Sequence, residues 1–60
     1  MRVYINDRPV DLLPGMTVRH ALIGADRLKE IETGKKPYDH QGNEVGLDGA
    51  LSDGEKIWVR

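Results

Sequence analysis

The chain has no cysteine and no phenylalanine, and its only aromatic residues are Tyr4, Tyr38 and Trp58. Without cysteine there is no disulfide framework, no thiolate zinc site and no cysteine nucleophile. No apolar run is long enough to cross a bilayer. The opening residues MRVYIND alternate in polarity instead of building the apolar block of a signal peptide. Charge of one sign is also lacking: nine basic and ten acidic residues leave a formal net charge of −1. That balance argues against an extensive nucleic-acid footprint. With 60 residues, the chain makes one domain spanning 1–60, and a chain of this length buries only about 60% of its unfolded surface. Small domains usually need staples, so local structure or a partner must do that work here. The expectation is a soluble, cytoplasmic domain.

What is present is clear periodicity at both ends. Residues 2–6, RVYIN, alternate so that Val3 and Ile5 share one face and Arg2 and Tyr4 the other. Asn6-Asp7-Arg8-Pro9 is turn chemistry, and Val10-Asp11-Leu12-Leu13 reads as a second strand, giving an opening hairpin. Pro14-Gly15 breaks that strand. Thr17 offers a cap for a helix starting at Val18. Val18, Ala21, Leu22 and Ala25 form one apolar stripe that Leu28 continues. Gly24 costs about 1 kcal/mol inside a helix, so the helix is expected to end between Ile23 and Lys29. Glu30-Ile31-Glu32-Thr33 reads as a short strand and Gly34-Lys35-Lys36-Pro37 as a loop. His40-Gln41-Gly42-Asn43 reads as a second hairpin turn. Leu47 and Leu51 pin a loop to the core, and Ser52-Asp53-Gly54-Glu55 is a tight turn into a last strand from Lys56 to Arg60.

The segment RVYINDRPVDL followed by PGMTVRHAL, and the closing LDGALSDGEKIWV, resemble ThiS/MoaD-like proteins of the ubiquitin-like β-grasp family. The resemblance covers residues 1–25 and 47–60, and the closing pattern also occurs in TGS domains. It implies an α+β fold, a four- to five-stranded mixed sheet packed on one helix, with the first and last strands side by side at its centre. Sulfur carriers of this family act through a C-terminal diglycine on a flexible arm. The sequence ends in Trp58-Val59-Arg60, so the resemblance carries over no catalytic or acceptor residue.

Period-2 alternation puts Ile57 and Val59 on one face of the last strand and Lys56, Trp58 and Arg60 on the other. If the first and last strands are neighbours, Tyr4 and Trp58 meet on the helix-free face, framed by Arg2, Lys56 and Arg60. Leu13 adds to them from the hairpin's second strand. Exposed Trp, Tyr and Arg are the residues enriched at binding hot spots, and in ThiS/MoaD-like proteins the corresponding face contacts partner enzymes. A simpler reading makes the same residues cross-strand contacts that only cover a bare sheet. His20 and His40 are the only near-neutral acid–base groups, expected on a solvated helix face and in a polar turn. Asp39, His40 and Glu44 match no metal-ligand motif, and no phosphate-binding glycine loop or Ser-His-Asp set is present. The expectation is a non-catalytic protein-interaction module without cofactor or metal, docking on a protein partner. The alternatives are a sulfur carrier or protein modifier whose diglycine tail is missing or truncated, and a TGS-like RNA-binding accessory domain.

Overall fold

A computed structural model describes all residues, 1–60. Six elements follow one another: β1 (Arg2–Ile5), β2 (Arg8–Asp11), α1 (Val18–Gly24), α2 (Leu28–Glu32), β3 (Pro37–Tyr38) and β4 (Lys56–Val59). The strands form one mixed sheet in the order β2-β1-β4-β3. The fold is therefore α+β, with β1 and β4 parallel neighbours at the centre and antiparallel strands on either side.

The opening hairpin closes more tightly than its sequence suggests. Ile5 pairs with Arg8, leaving only Asn6 and Asp7 in the turn, both with positive φ (49° and 68°). A two-residue turn of this hand matches the natural twist of the strands. Arg8 and Pro9 thus belong to β2, and the expected turn over Asn6–Pro9 and strand over Val10–Leu13 are both corrected. Pro9 fits because it faces Tyr4 in a pair that exchanges no ladder bonds. The bonded pairs alternate with such pairs, as the two hydrogen bonds exchanged by Met1 and Leu12 (2.7 and 2.9 Å) indicate. The missing proline donor points outward from the sheet.

Helix α1 starts where expected, behind Thr17. Its first backbone donors are taken by carbonyls of the loop: Val18 N–H by Gly49 and Arg19 N–H by Leu47, at 3.1 and 2.9 Å. His20 lies on the solvated helix face, as expected, and also has a local task. Its Nδ1 accepts the Thr17 backbone N–H at 3.0 Å and lies 3.1 Å from the Thr17 hydroxyl, in the role a glutamate plays in a capping box. The helix ends at Gly24. Asp26 N–H bonds Ile23 O and Arg27 N–H bonds Leu22 O, a Schellman ending with Asp26 at φ 58° in the left-handed position.

The expected short strand at Glu30–Thr33 is instead α2, so two helices replace the single one predicted. This helix closes with a second Schellman pair, Gly34 N–H to Ile31 O and Lys35 N–H to Glu30 O, around Gly34 at φ 111°. Leu28 and Ile31 rest on the core edge.

One core holds the layers together. Val3, Ile5, Val10, Leu12, Val18, Ala21, Leu22, Ile57 and Val59 form a single buried cluster, with Val45, Leu47 and Leu51 of the long connection packed against it. Both helices and that connection thus cover the face carrying Ile5 and Ile57. Gly24 marks a close approach of helix to sheet: a Cβ there would lie 2.9 Å from Val10 Cγ1. The helix accepts glycine's poor propensity because nothing larger fits against β2. No helix is long and apolar enough to cross a membrane.

Candidate functional site

The second face of the sheet carries the residues the core does not use. Even positions on β1 and β4 point there, and so do odd positions on β2, because Val3 pairs with Val10. The face therefore holds Arg2 and Tyr4 from β1, Pro9 and Asp11 from β2, and Lys56 and Trp58 from β4, with Arg60 just beyond the last strand. No element of the chain lies over it. Tyr4, Trp58 and Tyr38 are half-buried even so.

The register decides which side chains meet. Tyr4 stands opposite Lys56, while Trp58 stands opposite Tyr38. Tyr4 and Trp58 thus share the face on adjacent strands as diagonal neighbours. Tyr38 is the residue that sequence reasoning missed. It sits on the two-residue strand β3, and the Arg60 guanidinium lies over its ring, 4.9 Å from the centroid. A contact of this kind is worth about 0.5–1 kcal/mol at an exposed site. The spacing Lys36, Tyr38 had the right period, but Pro37 between them reads as a loop and hid the strand.

Pro37 is admitted for the same reason as Pro9. Lys36 and Arg60 exchange both backbone bonds (3.0 and 3.1 Å), so the next pair, Pro37 with Val59, needs no proline donor. On the opposite side of β4, the Val59 amide has run past the end of β1. The side chain of Asn6 replaces the missing strand there: its Oδ1 accepts Val59 N–H at 2.8 Å and its Nδ2 donates to Val59 O at 3.4 Å. One turn residue thereby holds the end of β4 that presents Trp58.

Leu13 is not drawn into the group. It lies beyond β2, 67% exposed, at the start of a Leu13–Met16 turn with Gly15 at φ 91°. Its expected contribution from the second strand is corrected, because β2 ends at Asp11.

The charged residues at the rim are paired. Arg2 Nε lies 2.9 Å from Asp11 Oδ1, and Lys36 Nζ lies 3.7 Å from Glu44, which is bridged to Tyr38. The hydrogen bond and charge of Arg2 hold the Asp11 carboxyl below the usual carboxylate range. The second hairpin forms where expected. Asp39 Oδ1 accepts the N–H groups of Gln41 and Asn43, both at 2.9 Å, and Gly42 takes φ 83°. With Asp39 and Glu44 so engaged, no group of three or more His, Asp or Glu side chains is placed to share a metal ion.

Below Lys56 the face runs into an open cleft lined by His40, Ser52, Asp53, Gly54, Glu55 and Lys56. Its two carboxylates are turned onto backbone: Asp53 Oδ1 accepts Arg2 N–H at 2.8 Å, and Glu55 Oε1 accepts Ser52 N–H at 2.9 Å. These bonds sew the Ser52–Glu55 turn to β1 and fix where β4 begins.

Comparison with known proteins finds no matching family model, no matching curated protein and no matching solved structure.

Proposed function

We propose that this protein is a ubiquitin-like β-grasp module that acts without chemistry of its own, binding a protein partner through the open sheet face. The β-grasp reading is supported by the sheet order β2-β1-β4-β3, with parallel central strands and both helices on one side. It agrees with the sequence resemblance at the two ends of the chain. The observation that carries the functional reading is the row of three half-buried rings, Tyr4, Trp58 and Tyr38, on a sheet face that no part of the chain covers. A folded chain of 60 residues with few aromatics would gain most by burying them in its core. Here none lies in the buried cluster, and large amphipathic rings at a surface are the usual anchors of an interface.

The test is differential capture from a lysate. Wild type, Trp58→Ala and Ile23→Ala serve as baits; Ile23 is 55% exposed on α1, away from the face. Partners retained by wild type and Ile23→Ala but lost by Trp58→Ala support the reading. The same partners on all three baits would make the rings a covering layer for the sheet and nothing more.

A further inference from the structure

The charges around Trp58 specify the chemistry of what docks there, an inference that rests on the docking reading above. Five of the nine Lys and Arg side chains, namely Arg2, Arg19, Arg27, Lys35 and Lys36, sit 2.9–3.7 Å from a carboxylate. Arg8, Lys29, Lys56 and Arg60 do not, and the last two bracket Trp58 along the open face. The only carboxylates on the face, Asp11 and Glu44, stand at its two edges and are held by Arg2 and Lys36. In a chain of net charge −1, Lys56 and Arg60 thus flank the one indole without an ion pair, and the nearby Asp53 and Glu55 carboxylates are turned onto backbone N–H groups.

We propose that this stripe receives an extended acidic segment of a partner protein, with two carboxylates bracketing one apolar side chain. Lys56 and Arg60 are four residues apart on an extended chain, roughly 13 Å. A peptide lying along β4 matches that span with acidic residues at its first and fifth positions, and its third residue then falls on Trp58. The cleft beyond Lys56 also carries Asp53 and Glu55, so the acidic residues of the segment end at Lys56 and do not run into it. The contact is made by side chains on the face, because the sheet edges are poor templates for strand addition. Pro9 removes an outward donor from β2, and Asn43 and Val45 bond the outer side of β3 (2.9 and 3.0 Å). A nucleic-acid strand fits less well. Arg60 already covers the Tyr38 ring, and a phosphate backbone crossing the sheet would pass over Asp11 or Glu44.

Trp58 is the only tryptophan, so its emission reports occupancy directly. The probes are a capped serine-rich peptide with glutamates at that spacing around a leucine, the same peptide with lysines for the glutamates, and an oligouridylate. The acidic peptide is expected to change the emission saturably, and to do so more weakly as salt rises. The double variant Lys56→Gln/Arg60→Gln is expected to bind it about tenfold or more weakly, whereas Lys29→Gln on α2 leaves binding unchanged. Circular dichroism verifies the fold, and Lys56→Gln alone, at an exposed position, is the fallback if the pair does not fold. Equal binding of the lysine peptide would overturn the charge assignment while leaving the docking face intact. A response only to oligouridylate would make the face a nucleic-acid platform. A peptide-independent change with protein concentration would mean that a second copy occupies it. Silence of Trp58 towards every probe would also overturn the acidic-segment proposal, and the Trp58→Ala capture then decides separately whether the face docks anything.

Discussion

At the residue scale, the fold depends on a few positions whose backbone is held where side chains are disfavoured. Asp7 and Asp26 both have positive φ, 68° and 58°, in a hairpin turn and a helix ending that glycine usually occupies. Asp7→Gly and Asp26→Gly are each expected to raise stability by about 0.5–1 kcal/mol, read as a higher urea midpoint. Gly24 is the opposite case. Alanine there improves helix propensity, but its Cβ would enter within 2.9 Å of Val10 Cγ1. Gly24→Ala should therefore lose about 1–3 kcal/mol; a gain would show that α1 slides freely on the sheet. Asn6→Ala removes both bonds to Val59 and leaves the backbone of a buried residue at the strand end without partners. A loss of about 1–3 kcal/mol is expected, together with faster amide exchange at Val59.

At the element scale, the ends of the chain were legible and the middle was not. β1, β4 and the start of α1 announce themselves through alternation, the Thr17 cap and the Val18, Ala21, Leu22 stripe. α2 does not, because five residues with Ile31 between two glutamates alternate like a strand. Its helical state comes from the two Schellman endings around Asp26 and Gly34, and only the second is marked by glycine. β3 was hidden by Pro37, and with it went Tyr38 and its place on the face. Six residues were expected there: the face holds Arg2, Tyr4, Lys56, Trp58 and Arg60, while Leu13 lies outside because the tight Asn6-Asp7 turn ends β2 early. Register, set by turn geometry and long-range pairing, has no local signal in the sequence.

The charge network of α2 gives this element a pH dependence. Glu30 accepts Lys35 Nζ and Arg27 Nη1, both at 2.9 Å, and these bonds hold its carboxyl below the usual range. A carboxyl with a lower pKa folded than unfolded contributes stability above the unfolded value and loses it as pH falls through the folded one. Unfolding midpoints should thus drop as the solution is acidified below the ordinary carboxylate range. Glu30→Gln should flatten that limb of the profile, and an unchanged limb would remove Glu30 from the account. Asp11 shifts the same way, but its pair with Arg2 is more exposed (74% and 56%) and more open to salt.

At the scale of the whole molecule, one core on one side of a four-stranded sheet leaves the other side uncovered. The apolar cluster uses every inward position of β1, β4 and α1, and the three rings of the chain are all turned outward. If the proposed docking holds, the same sheet separates stability from binding. Ile57→Ala should unfold much of the population, at a cost of about 2–5 kcal/mol, whereas Trp58→Ala one residue away should leave the fold in place. The most direct measurement of the central claim is nuclear magnetic resonance mapping of the labelled protein with a captured partner. The amides of Tyr4, Tyr38, Lys56, Trp58 and Arg60 are expected to shift on addition of the partner, with α1 and α2 unmoved. Shifts confined to α1, α2 and the connection through Leu47 would place recognition on the opposite side of the molecule and contradict the account.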